Sequence, residues 1–173
     1  SMLIVTLPFF PIICLLIRLS SPGRTIFRHT RIGLNGKPFI MYKFRTMYKD
    51  VNEYQEAPIQ KDDPRVIPIG RWLRRTSLDE LPQLFNVLKG EMSMVGPRPE
   101  MPFIVHSYEP WQRRRLTVLP GITGLWQISG RKDLPLHSNL EYDFYYIQNQ
   151  SLLFDLIILL KTIPVVLFGK GAY

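Results

Sequence analysis

The sequence predicts an α+β fold, mostly helical, with one small β-hairpin and an apolar helix towards each end. Three observations carry this. Apolar residues recur at helical spacing across Leu81, Leu84, Phe85 and Leu88; Asn35-Gly36 lies between two strand-like runs; and residues 2–17 and 151–168 are strongly apolar. Fifteen prolines in 173 residues cut the chain into short, punctuated elements, and the length suits one domain with a real core.

Residues 2–17 carry no charge. A straight helix of that length spans about 24 Å, short of the roughly 30 Å hydrocarbon core of a bilayer. Pro8 and Pro11 interrupt it. It reads as the end of a longer spanning helix, as a core helix lacking a polar face, or as a bent segment that enters one leaflet and returns. The last is expected, because a proline kink offers a place to turn. Residues 1–21 are thus expected to form a re-entrant membrane helix and residues 22–173 the working domain. Ser1-Met2 reads as an engineered junction, so native sequence upstream is expected.

Ser20-Ser21-Pro22-Gly23 is a turn, Ile26 to Ile32 a short strand, and Pro38 to Met47 its return across an Asn35-Gly36 hairpin turn. Lys43 and Arg45, two apart, share a face that is either solvated or in contact with a diphosphate or lipid headgroup. Residues 49–65 are charged and read as a loop or short helix ending at Asp63-Pro64-Arg65. Ile69 to Arg75 forms an amphipathic helix with Trp72 and Leu73 inward. A helix then runs from Ser77 to Gly90. Ser77 and Glu80 have capping-box spacing, although Pro82 is better tolerated if the start lies nearer Asp79. Either start puts Asp79 and Glu80 in the first turn, where the helix dipole favours a carboxylate or a phosphate. Residues 102–118 look helical, and Arg113-Arg114-Arg115 reads as a solvated or lipid-facing surface. Pro120 to Gly124 is a tight loop, Leu125 to Ile128 extended, and Ser129-Gly130-Arg131 lets backbone and guanidinium approach an anion together. Leu140 to Ile147 is helical and carries Glu141 and Asp143. Asp155 and Lys161 argue that residues 151–168 lie along a surface rather than span a membrane.

The net charge of +8 is unevenly placed. Eight Lys or Arg and no Asp or Glu fall between Arg18 and Lys49, directly after the apolar run. That pairing points to a cytoplasmic membrane face rich in anionic lipid rather than to a nucleic acid. Cys14 is the only cysteine, so no disulfide forms within the chain, and His29, His106 and His137 show no metal-ligand spacing.

Asp79 and Glu80 are the candidate chemical residues. Acids in a first turn commonly do no more than cap it. Here arginines flank them: Arg74 and Arg75 precede the turn, and Arg98 is fixed between Pro97 and Pro99, an arrangement suited to clamping phosphate.

Those residues carry a resemblance. Leu19 to Phe27, Asn35 to Met47, Arg71 to Pro99, Pro120 to Arg131 and Tyr142 to Leu160 resemble the bacterial sugar transferases known as monotopic phosphoglycosyl transferases. Asp79-Glu80-Leu81-Pro82-Gln83 together with Gly96-Pro97-Arg98-Pro99 is the specific signature. The ending Gly169 to Tyr173 is similar to that of undecaprenyl-phosphate galactose phosphotransferases, in which further segments precede the catalytic part. Leu7 stands where the family often has Ser before the helix-breaking proline, and Pro11 is additional.

The resemblance implies transfer of a phosphosugar from a UDP-sugar to polyprenyl phosphate, releasing UMP, at the cytoplasmic face of a bacterial inner membrane. It implies Mg²⁺, a re-entrant helix in one leaflet, and a catalytic domain over 22–173. Asp79 is then the nucleophile and Glu80 its metal-binding or proton-handling partner, both being metal ligands. Arg74, Arg98 and Arg131 hold the transferring group, with Lys43 and Asp143 in support. A homo-oligomer is compatible with this. The rival expectation is a non-catalytic basic module that binds anionic lipid, which gives Asp79, Glu80 and Arg98 no purpose.

Overall fold

The computed structural model describes residues 8–51, 63–130 and 140–167. Its first helix, α1 (Phe9–Ser20), starts from Pro8 at the cap position. Pro11 lies in the first turn, where a missing N–H costs little. The expected mid-segment kink is therefore not found among the described residues, where both prolines sit at the helix start. Ile13 and Ile17 pack onto Phe44, Ile67 and Leu73. Phe9, Ile12, Leu15, Leu16 and Leu19 stay exposed around the rest of the helix. Among the described residues no helix is long and apolar enough to cross a membrane.

Strands β1 (Ile26–Ile32) and β2 (Pro38–Phe44) pair antiparallel from Ile26 opposite Phe44 to Ile32 opposite Pro38. Asn35 (φ 55°) and Gly36 (φ 77°) both adopt left-handed backbone, as a primed hairpin turn requires. Residues directly opposite share a face. His29, Arg31, Phe39, Met41 and Lys43 therefore line the inner side, and Ile26, Arg28, Tyr42 and Phe44 the other. Arg45 lies past the end of β2 and does not act with Lys43 as expected. Its guanidinium is buried and donates to the carbonyls of Ser21 (2.6 Å) and Pro22 (2.8 Å), fastening the turn after α1.

Helix α2 (Pro68–Arg75) buries Leu73, but Trp72 faces outward, against expectation. The helix expected from Ser77 to Gly90 is divided. Ser77 is left-handed (φ 54°) and makes no side-chain cap. A single 3-10 turn covers Leu78–Glu80, and α3 (Gln83–Leu88) begins after Pro82. Proline at the cap position explains the break, since its lost donor costs nothing there. Leu84 is buried, whereas Phe85 and Leu88 are exposed, so only part of the apolar stripe reaches the core. Asn86 docks α3 on β2: it accepts from the Tyr42 amide (3.1 Å) and donates to the Ile40 carbonyl (2.7 Å).

Strands β3 (Ser93–Val95) and β4 (Gly121–Thr123) pair in parallel. Between them the expected helix over 102–118 is replaced by α4 (Pro102–His106) and a 3-10 segment (Gln112–Thr117). The stretch expected to be extended, Leu125 to Ile128, is instead helical in α5 (Leu125–Gly130). Helices α6 (Glu141–Asn149) and α7 (Leu152–Leu167) close the chain, with Val95, Tyr146 and Ile158 buried between them and β3. The Tyr146 hydroxyl donates to Asp155 (2.8 Å), which accounts for one charge in the apolar α7. Leu152, Leu153, Leu156, Leu160 and Ile163 remain exposed on that helix.

The β3–β4 contact depends on glycine. A Cβ on Gly121 would lie 2.1 Å from the Gly96 nitrogen and 2.4 Å from the Thr123 carbonyl oxygen, both backbone atoms that cannot yield locally. Gly121→Ala should therefore cost about 3 kcal/mol through overpacking, read as a lower thermal midpoint. An unchanged midpoint would contradict the close approach.

Candidate active site

The chemistry gathers around Glu80, which the 3-10 turn directs inward and buries. Its Oε1 accepts from Lys43 Nζ at 2.8 Å and lies 3.4 and 3.5 Å from the two terminal nitrogens of Arg98. Lys43 arrives from the inner face of β2 and Arg98 from the loop after β3. Burial pushes the Lys43 ammonium below its ordinary pKa; Glu80 opposes this, Arg98 adds to it, and Asp79 opposes it in turn. Asp79, half-buried in the same turn, is thus close enough for its charge to act on Lys43. The positive surroundings of the two carboxylates come from these side chains. The expected helix-end dipole contributes less, because the turn is 3-10 and α3 has only 6 residues.

Arg31 is a site residue that sequence reading did not single out. It shares the inner hairpin face with Lys43 and donates to the Pro99 carbonyl at 3.3 Å. Burial and then the neighbouring Arg98 charge bring its guanidinium down to about 10, against the opposite pull of Glu100 and Glu80. The signal was available: once Asn35-Gly36 sets the register, alternation puts Arg31 and Lys43 on one face.

The Arg98 loop is pinned along its backbone. The Gly96 amide donates to Thr123 (2.9 Å), the Pro97 carbonyl accepts from Gly121 (2.9 Å), and the Glu100 carbonyl accepts from Ile32 (2.9 Å). The Arg98 carbonyl accepts from Arg115 (2.9 Å). Arg115 is itself buried, 2.7 Å from Asp143 Oδ2 and 3.3 Å from Glu100 Oε1, and it also bonds the Tyr108 hydroxyl. Burial pushes the Asp143 carboxyl up while Arg115 pulls it down. Arg113 and Arg114 are exposed as expected, but Arg115 is an internal strut. Nothing in the repeated arginines marked the third one as different.

Asp143 sits behind the loop on Arg115, from which it can act on Arg98 only at one remove. Arg74, on α2, is close enough to Asp63 to add to the effect of Arg65, whose hydrogen bonds chiefly hold that carboxyl down to about 2. Arg131 lies outside the described residues, as does most of the charged 49–65 segment. Among the described residues no group of three or more His, Cys, Asp or Glu side chains is placed to hold a metal. Asp79 and Glu80 remain as two adjacent carboxylates, enough for a Mg²⁺ ion bound largely through substrate phosphates and water.

A hairpin lysine and a proline-bracketed arginine thus meet on one carboxylate of the acidic turn. Residues 1–169 match the family described as bacterial sugar transferase, and the chain belongs to that family. It is 41% identical over 186 residues to the exopolysaccharide production protein ExoY of Sinorhizobium fredii, spanning 99% of this chain and 82% of that one. It is 44% identical over 166 residues to the undecaprenyl-phosphate galactose phosphotransferase of Salmonella typhimurium, spanning 87% of this chain but 35% of that much longer protein. An N-acetylgalactosaminephosphotransferase of Aeromonas hydrophila, acting between UDP-N-acetylgalactosamine and undecaprenyl phosphate by its name, is 39% identical over 181 residues, spanning 98% of this chain and 42% of its own.

Two outcomes follow from the geometry. Arg115→Met should cost about 3–5 kcal/mol, because it leaves Asp143 and Glu100 buried without their cation; a denaturation curve like that of the wild type would contradict the strut. The second concerns His29, which is 4% exposed and has its pKa lowered to about 4, by burial first and then by Arg31 and Lys43. At pH 7 the imidazole is neutral both folded and unfolded. Below about 6.5 the unfolded chain takes up a proton that the folded protein refuses until about 4, so stability falls across that window. Between pH 7 and pH 5 the stability advantage of the wild type over His29→Asn should shrink by up to about 2 kcal/mol. A constant difference would show that His29 titrates normally.

Proposed function

We propose that the protein transfers a phosphosugar from a UDP-sugar to polyprenyl phosphate, yielding a polyprenyl diphosphate sugar and UMP, as the first membrane step in building a bacterial polysaccharide. The observation that carries this is the convergence of two cations on the acidic turn: one oxygen of Glu80 faces both Lys43 and Arg98. Asp79, its half-buried neighbour in that turn and near enough for its charge to act on Lys43, is assigned the attack.

In the first step an Asp79 oxygen attacks the phosphorus that bears the sugar. The bond from that phosphorus to the oxygen bridging to UMP breaks, and UMP leaves with the bonding pair. Asp79 then carries the phosphosugar as an acyl phosphate. In the second step a phosphate oxygen of the polyprenyl phosphate attacks the same phosphorus. The bond to Asp79 breaks and the carboxylate is regenerated. Lys43, Arg98 and Arg31 offset the repulsion between anions, and Glu80 keeps the first two aligned. Arg74 and Arg131 are assigned to the substrate phosphates, and Asp143 supports Arg98 through Arg115. Asp79 and Glu80 would hold Mg²⁺ together with the diphosphate, and the ion would supply further neutralisation of charge there.

The exposed apolar sides of α1 and α7, with the basic segment between Arg18 and Lys49, support a position in one leaflet at the cytoplasmic face. The relatives named for exopolysaccharide production and for undecaprenyl-phosphate transfer support the substrate class.

Asp79→Asn should abolish UMP release from UDP-sugars. Wild-type protein given a radiolabelled donor without acceptor should retain label that Asp79→Asn does not. Labelled donor consumed only when acceptor is present, with no label on the protein at any time, would refute the covalent step.

A further inference from the structure

On the side of the hairpin away from Lys43, a cleft of about 630 Å³ opens between the last turn of α1 and the start of β1. It is lined by Arg18, Gly23, Arg24, Thr25, Ile26 and Arg28. The volume is that of a small-molecule site, and three of its six lining residues are arginines. Among the described residues none of these three is ion-paired with a carboxylate. The buried Arg45 guanidinium holds the chain that leads into the cleft, bonding the Ser21 and Pro22 carbonyls, while its amide donates to the Thr25 carbonyl (2.8 Å). Three arginines thus line one hollow. A fully solvated basic surface would disperse them.

The position selects the ligand. Arg18 stands in the last turn of α1, between the exposed Leu15 and Leu19. If that apolar face lies in acyl chains, the cleft opens at the depth of the headgroups. The acyl chains would then run along α1 while the phosphate meets the arginines. Register keeps this site apart from the catalytic one. Arg28 pairs with Tyr42 on the outer face, whereas Lys43 pairs with Phe27 on the inner face.

We propose that the Arg18–Arg24–Arg28 cleft is a discrete binding site for the phosphate of an anionic membrane phospholipid, separate from the substrate phosphates. The proposal rests on the membrane placement given above. It predicts that the cleft arginines matter far more than equal charge elsewhere on the surface.

The test is co-sedimentation of the full chain with vesicles of phosphatidylcholine alone or mixed with phosphatidylglycerol. Arg24→Gln with Arg28→Gln is compared against Lys37→Gln with Arg113→Gln, a pair of exposed charges outside the cleft. Wild type should bind both vesicle types, and the mixed ones more tightly. The cleft pair should lose roughly 25-fold in affinity for mixed vesicles, about fivefold per arginine, and nothing for neutral ones. The outside pair should lose less than a fifth as much. Inorganic diphosphate, added as competitor, should displace wild type from mixed vesicles only weakly, since the lipid also anchors through its chains. Equal losses for the two pairs would reduce the cleft to diffuse electrostatics and overturn the proposal. So would equal affinity for neutral and mixed vesicles, which leaves the membrane placement standing. Full displacement by diphosphate would make the site one for soluble phosphate. Failure to bind any vesicle would overturn the membrane placement and the proposal together.

Discussion

One carboxylate, Glu80, holds two cations that come from parts of the chain far apart in sequence. A buried charge is tolerated only when it is paired, and removing either partner would leave the other exposed to the low-dielectric interior. The hairpin, the acidic turn and the Arg98 loop are therefore tied together at a single oxygen. Asp79, one residue earlier in the turn, is half-buried beside this cluster.

Behind that oxygen stands a second layer of charge. Arg115 joins Asp143 on α6, Glu100 in the loop and the backbone of Arg98. The glycine contact between β3 and β4 fixes the loop at its start. Rigid support from the far side is what lets an arginine present its guanidinium in one direction, since the side chain alone has many rotamers. The left-handed Ser77 belongs to the same logic. It ends α2 and re-aims the chain so that Glu80 meets Lys43 of the hairpin.

The sequence made local matters legible and distant ones obscure. Asn35-Gly36 specified a hairpin because few residues accept its two left-handed positions, and the hairpin is present with that turn. Asp79, Glu80 and Arg98 stood out by motif and by the prolines that bracket the arginine. Helix limits were less readable. Ser77 with Glu80 has the spacing of a capping box, yet the backbone at Ser77 turns left-handed and Pro82 sets the true start of α3. Arg115 could not be distinguished from Arg113 and Arg114, because its burial depends on Asp143 and Glu100, which no local pattern connects to it. Trp72 was expected inside on hydrophobicity alone, but its helix turns Leu73 and Gly70 into the core and packs Ile69 against it.

The strut through Arg115 has a consequence for the order in which the protein matures. As the chain leaves the ribosome, the hairpin, the acidic turn and the Arg98 loop emerge first, but Asp143 and Tyr146 come later. Until α6 emerges, the loop lacks its backing and the Glu80 cluster has no fixed third side. A nascent or truncated polypeptide ending before residue 143 would lack the Asp143 partner of Arg115, so the loop gains its full backing only once α6 has emerged.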